Sequence, residues 1–516
     1  MSLPNITFVK GQGGLGRPLP GEDFISGLMF YTNSLPSGFD SNNRIKEIFS
    51  PQDAINLGIL NDYSDGTAAT ASYLITNDGA AGDIISISVK DVDSNGNAQS
   101  TLLCQYVRLS SDSTIALLGA SIAAAINANT INNGYSASFL TATLTITASK
   151  KFGVFLNSGS PLVVAITGTI AGTITQFSGG IASVLAFYYY HISEFFRMQP
   201  QGFLFVGFFA VPGSYTFVEI QTLQNFANGK IRQIGVYKDL SGTWTENDIT
   251  AIQASAIQLD AIHKPVSSIV YAADLTGTAD ITTLPDLNLH TAYKVSAVIG
   301  QDAGGQGHFL FITTGKSVSI LGAVLGTIAL SKVSESIAWV GKFNLSDGNE
   351  DEVLGFANGQ YFNNSSISSS LDNILNALNS KQYIFLRKLV GISGSYINDS
   401  NCAIVESNDY SQIENNRTID KAIRGIYTSM LPSLNSPLQL NADGTLSETT
   451  IAAFESQAIV NLDQMVRDAE LSAFEVLIDP TQDVLATSTI VLTVELVING
   501  VARQILVNIG FTPKLS

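Results

Sequence analysis

Charge is what this sequence has least of. Only 13% of its 516 residues are charged, about half the share usual in a soluble globular protein. Lys and Arg number 26 against 43 Asp and Glu, a formal net charge of −17. With no basic stripe, neither nucleic acid nor an anionic membrane surface is an expected partner. Cysteine is almost missing: Cys104 and Cys402 are the two present, which excludes a disulfide framework and a thiolate metal cluster. The four histidines, His191, His263, His290 and His308, show no paired metal spacing. Apolar runs are short, and the longest, Phe203 to Val211 and Ile320 to Leu330, fall well below the ~20 residues of a membrane-spanning helix. Met1-Ser2-Leu3-Pro4-Asn5 has neither the basic nor the apolar region of a secretory signal. These absences predict a soluble chain made in the cytoplasm that reaches the outside, if it does, by lysis or as part of a particle.

What is present is an ordinary apolar fraction, 45%, in a chain long enough for substantial cores. At ~150 residues per domain the prior is roughly three domains. The polar remainder is mostly neutral, and depletion of charge is a mark of interface cores.

The predicted fold class is an α/β core, a mixed sheet with flanking helices, carrying an inserted β-rich domain and extended N- and C-terminal strand arms. Residues 1–22 read as an N-terminal arm: a short strand, Ile6-Thr7-Phe8-Val9-Lys10, on a Gly- and Pro-rich tether. Residues 23–67 open the core, with a strand at Ile25–Tyr31 and a helix near Pro51–Leu57. Residues 68–180 turn to Thr, Ser, Ala, Gly, Ile and Val with strand-like alternation, as in Ile84-Ile85-Ser86-Ile87-Ser88-Val89. This is the inserted domain, with a helix at Thr114–Asn129 and a hinge at Gly179-Gly180. Strands and helices alternate again over 181–360, which implies a largely parallel sheet covered by helices. Residues 361–480 form a C-terminal core domain with helices at Arg417–Met430 and after Thr445 and Glu448, read as a capping box. Residues 481–516 are a final arm, predicted as a hairpin of Ser488–Ile498 and Val501–Phe511 around Asn499-Gly500, the pair a type I′ turn favours.

Catalytic and ligand motifs fail one by one. Gly11-Gln12-Gly13-Gly14-Leu15-Gly16 has dinucleotide-loop spacing, but Arg17-Pro18-Leu19-Pro20 cannot open the helix whose N-terminus would meet the pyrophosphate. Gly315-Lys316-Ser317 ends like a phosphate loop, with Leu310 where the first glycine belongs. Asp91-Val92-Asp93-Ser94-Asn95-Gly96 starts like a calcium loop and lacks the twelfth-position glutamate, Leu102 standing there. Gly391-Ile392-Ser393-Gly394-Ser395 misses the last glycine of a nucleophile elbow. No catalytic residue, cofactor or metal site is predicted.

The order Asn416-Arg417-Thr418-Ile419-Asp420-Lys421-Ala422-Ile423-Arg424, then Met465-Val466-Arg467-Asp468, then Val476-Leu477-Ile478-Asp479-Pro480 resembles the C-terminal domain of contractile tail sheath proteins. Those occur in phage tails, R-type pyocins and contractile injection systems. Gly14-Leu15-Gly16-Arg17, Pro20 to Gly27, and Tyr396-Ile397-Asn398-Asp399 are similar to the same family. The resemblance covers roughly 1–60 and 181–516. It implies a non-enzymatic subunit that stacks as six-membered rings around an inner tube, with baseplate and terminal cap proteins as further partners. It also implies that terminal arms add strands to neighbouring subunits, here through Ile6, Thr7, Phe8, Val9, Val501, Ile505, Val507 and Ile509. The tube would be met by helical surface carrying Arg417, Lys421, Arg424 and Arg467. Contraction would be a rigid-body rearrangement that needs no nucleotide. Two other readings stay open: an adhesive or receptor-binding module built on the β-rich insertion, and an α/β enzyme with converging groups at the strand ends.

Overall fold

The computed structural model describes residues 23–238, 245–272, 283–302, 305–316, 318–346, 354–355 and 371–511. The predicted strand at Ile6–Lys10 lies outside them.

The core is a seven-stranded sheet. Its spatial order is Tyr383–Ile384, Val295–Val298, Ser268–Ala272, Gln233–Tyr237, Ile25–Tyr31, Phe203–Phe209 and Ile45–Ile48. All pairings are parallel except that of Ile45–Ile48, which closes one edge antiparallel. Every residue of Ile25–Tyr31 is buried, as expected for a central strand covered on both faces. Alternate positions show what covers each face. A Cβ on Gly27 would run into Leu223 of the Glu219–Phe226 helix, whereas one on Gly235 would meet Leu28, Leu321 and Leu325, so the Leu321–Leu330 helix lies on the other side.

Beside Leu321–Leu330, also against the sheet, lies the Leu185–Met198 helix, whose Tyr188 ring is 4.6 Å from that of Phe30. The two approach so closely that a Cβ on Gly322 would collide with the His191 carbonyl, and one on Gly326 with that of Phe195. Glycines four apart therefore put one backbone against the other. Backbone cannot yield as a flexible side chain would, so Gly322→Ala should cost about 1–3 kcal/mol, read as a lowered urea midpoint with unchanged slope.

Residues between Thr67 and Ile181, which exchange backbone hydrogen bonds of 3.0 Å in both directions, form a β-rich module. One antiparallel sheet orders Ser136–Leu140, Thr143–Thr147, Thr70–Asn77 and Ala171–Ser178. A second orders Ala98–Val107, Ile84–Val92 and Leu162–Thr167. The Ile115–Asn127 helix, capped by Thr114, buries Leu118, Ile122 and Ile126 with Tyr73, Ile87 and Leu144 in a core of their own. The Asp93–Gly96 turn forms as predicted, with Gly96 at φ +82°. The sequence reading missed the Gln306–Thr314 helix, seeing only a failed phosphate loop. Its Phe309 enters the module core while Leu310 enters the main one.

At the C-terminal end, Ile413–Met430 and Glu448–Arg467 run antiparallel: Asn461 Nδ2 donates to the Gly425 carbonyl at 2.9 Å, and Ser433 Oγ to Gln457 Oε1 at 3.0 Å. Of the face expected from periodicity, Ile451, Phe454, Ala458, Leu462, Met465 and Ala469, the second helix buries the middle four; Ile451 is half-buried, and Ala469 lies past the helix end and is exposed. Its cap is Ser447, whose side chain accepts from the Thr450 amide, not Thr445. The terminal hairpin is also corrected. Thr493–Ile498 pairs antiparallel with Leu471–Leu477. A type I′ turn needs positive φ at both central residues, and neither Asn499 nor Gly500 has it. The Asn499 amide instead donates to the Ala469 carbonyl at 2.7 Å, which turns the chain away.

Candidate assembly interface

The Ile413–Met430 helix carries Arg417, Lys421 and Arg424 at spacings of four and three, on one side as predicted. That side faces the protein, not solvent. Arg417 is 1% exposed. Its guanidinium donates to Ser331 Oγ at 2.6 Å, the Ser331 carbonyl at 3.2 Å and the Lys332 carbonyl at 3.1 Å. Ser331 is the C-cap of Leu321–Leu330, so the cation meets carbonyls at the negative end of a buried helix. Burial draws its pKa down to about 10.

Lys421 lies between two carboxylates, 2.7 Å from Asp23 and 2.7 Å from Glu470. Arg424 reaches the other oxygen of Asp23 at 3.1 Å. Burial works against ionisation of Asp23, but Lys421 and Arg424 together hold its carboxyl below the ordinary range. Burial pushes Glu470 upward against the pull of Lys421. The three cations predicted to face a tube are thus committed to the fold, because this helix is packed on the body along its basic side. Arg467 alone of the four is open, 64% exposed at its side chain, with Asp463 at 4.0 Å and Gln464 Oε1 at 3.1 Å.

Two adjoining cavities, about 420 and about 560 Å³, flank this helix and share His263, Pro265, Arg424 and Tyr427 on their walls. His263 stacks on Tyr427 at 4.5 Å. The smaller holds Lys294 between Asp260 at 2.6 Å and Asp420 at 3.2 Å, with Tyr293 and Tyr410 alongside. The charges there are paired, Lys294 with both carboxylates and Arg424 with Asp23. Among the described residues, no group of His, Cys, Asp and Glu is placed to hold a metal, and no helix is long and apolar enough to cross a membrane.

The chain end is different in kind. Residues 501–511 pair with no strand among the described residues. Ile505 is 81% exposed, Ile509 93% and Phe511 fully so, and Leu506 and Val507 are exposed too. Ile505, Val507, Ile509 and Phe511 alternate, so in an extended segment they share one face. The root of this segment is held by Arg503, which bonds Asp399 at 3.0 and 3.1 Å and Glu414 at 2.6 Å. Of the predicted arm residues, Val501 is half-buried and Ile505, Val507 and Ile509 are exposed, while Ile6, Thr7, Phe8 and Val9 lie outside the described residues. Sequence reasoning missed Asp23, Glu470, Asp399, Glu414 and Arg503. Asp23 and Lys421 are so far apart in the chain that no local pattern joins them.

Two family models match, the DUF2586 N-terminal domain over residues 71–401 and the DUF2586 C-terminal domain over 409–516. The chain belongs to the DUF2586 family. No curated protein matches it. Solved structures similar in backbone course to this DUF2586 chain include the helical sheath of the anti-feeding prophage in its contracted state, at 14% identity, TM-score 0.41, covering 63% of this chain and 81% of that one. The baseplate of the same particle gives 14% identity and TM-score 0.40, covering 63% and 80%. The contracted PVC sheath complex of an extracellular contractile injection system gives 11%, 0.39, 63% and 80%.

Proposed function

We propose that this DUF2586 chain is a sheath subunit of a contractile injection particle or phage tail, with a mechanical rather than catalytic role. It stacks as six-membered rings around an inner tube, between a baseplate and a terminal cap. The observation that carries this reading is the C-terminal arm. An extended segment whose alternating face is Ile505, Val507, Ile509 and Phe511 leaves its apolar surface and its backbone hydrogen-bonding groups unpaired among the described residues. Such a segment is completed by a sheet edge on another copy. The two-stranded sheet of Leu471–Leu477 and Thr493–Ile498 has such edges. Residues 1–22 are proposed as a second arm of the same kind. The sequence resemblance to tail sheaths supports the same conclusion.

Expression of the full chain alone, followed by negative-stain electron microscopy, tests the reading. Hollow striated tubes are the expected result; uniform small particles, both alone and with the inner tube protein added, would sink it. Arg467 is proposed as the tube-facing cation. Arg467→Glu should lower co-sedimentation with the tube protein several-fold and leave self-assembly unchanged. Equal co-sedimentation would remove the assignment.

A further inference from the structure

We propose that Arg503 is the anchor that divides the C-terminal segment into a fixed root and a free tip, so that the tip leaves the subunit in one set direction. The inference rests on the assembly reading above for its purpose, though not for its geometry. Arg503 is the point where the exposed segment returns to the body. Nε lies 3.0 and 3.1 Å from the two oxygens of Asp399, and Nη2 reaches Glu414 Oε1 at 2.6 Å, Gln412 Oε1 at 2.9 Å and Ser400 Oγ at 3.3 Å. A guanidinium presents its donors in a rigid planar fork, so engaging several acceptors on more than one side fixes the direction of its stem as well as its position.

The receiving side is built for this. Glu414 is 3% exposed, and its second oxygen accepts from Ser400 Oγ. Gln412 Oε1 lies 2.9 Å from the same Ser400 Oγ and accepts from Arg503. Burial raises the pKa of Glu414 and the nearby guanidinium opposes that rise. A buried carboxylate needs a charged partner, and Arg503 is the cation within ion-pair distance. Only residues after the anchor are left to exchange with another molecule. At ~3.3 Å per residue, the eight from Gln504 to Phe511 reach about 26 Å beyond the body. A tip fixed at its root searches a restricted volume, which raises its effective concentration at a neighbour's sheet edge compared with a freely swinging tail.

Trypsin offers a direct test, because cleavage after Arg503 requires this side chain to leave its clamp and enter the protease. In the intact full-length subunit the Arg503–Gln504 bond should be cut at least tenfold more slowly than in Asp399→Asn, with mass spectrometry used to follow that bond. Glu414→Gln should act in the same direction if it folds, but Asp399→Asn is the primary variant because Asp399 is less buried. Equal cleavage rates in the parent and Asp399→Asn would overturn the anchor. Arg503→Ala should then shorten assemblies of the full chain several-fold, with Arg503→Lys intermediate because an ammonium cannot reproduce the fork. Assemblies of parental length from Arg503→Ala would overturn the directing role. If the parent chain itself forms no assemblies, the assembly reading fails, while the trypsin comparison still decides the anchor.

Discussion

A chain ending at Arg503 should fold as the full-length protein does and yet fail to form long assemblies. Of the missing residues, those described, Gln504 to Phe511, add little to any core: they are exposed and pair with no strand among the described residues. Their removal should therefore leave the thermal midpoint within a degree or two. Association should suffer far more. The segment offers Ile505, Val507, Ile509 and Phe511 to a partner, and fully burying a side chain of this size contributes about 1.5–3 kcal/mol. Even after ordering costs, losing that contribution at every subunit contact should reduce tube length by an order of magnitude or more. Circular dichroism and electron microscopy on the same preparation check both halves. Tubes of ordinary length from the truncated chain would show that the arm is not the joint.

The second large effect is acid sensitivity centred on His191. Its ring is fully buried, neither nitrogen has a hydrogen-bond partner, and Phe30, Phe187, Tyr190 and Tyr237 surround it. Burial alone lowers its pKa to about 3 from the ordinary 6.5. The unfolded chain thus takes up a proton below about pH 6.5 and the folded chain does not until about pH 3. Stability is full above that window and falls by about 1.4 kcal/mol per pH unit within it, about 2 kcal/mol by pH 5. Asp23 has a lowered folded pKa, so its contribution is lost only below the unfolded aspartate value near 4. Above about pH 4 the His191 window is therefore clear of the Asp23 one. His191→Phe should flatten the urea midpoint between pH 6.5 and 4.5. It should also raise stability at neutral pH, since an unpartnered buried polar group costs about 1–3 kcal/mol. An unchanged pH slope in the variant would show that other groups control the acid limb.

The sheet was legible because its strands write themselves in apolar runs. Phe203–Phe209 and Ile25–Tyr31 could be little else, and the βα alternation after residue 181 predicts parallel pairing. Local signals also placed the helix that begins after Thr114 and the Asp93–Gly96 turn. The errors share a cause: a short-range cue was outweighed by a distant partner. Asn499-Gly500 has hairpin chemistry, but Leu471–Leu477 provides a better-placed strand for Thr493–Ile498, and Ala469 takes the asparagine amide. Arg417, Lys421 and Arg424 look like a solvated stripe because the groups they bond are far away in the sequence. Their partners are Ser331, Glu470 and Asp23, brought in by tertiary packing.

The placement of Ile25–Tyr31 in mid-sheet has a consequence for how the molecule is made. This strand is synthesised well before its neighbours, Phe203–Phe209 on one side and Gln233–Tyr237 on the other, and Asp23 just before it waits for Lys421 and Arg424. On the ribosome it must remain open until those strands emerge, which makes the topology slow and non-local. The same order of events is protective. A chain interrupted before residue 421 never closes the ion cluster, and one interrupted before 503 never anchors its arm. In the proposed assembly, such incomplete chains would carry no C-terminal joint with which to enter, and poison, a growing polymer.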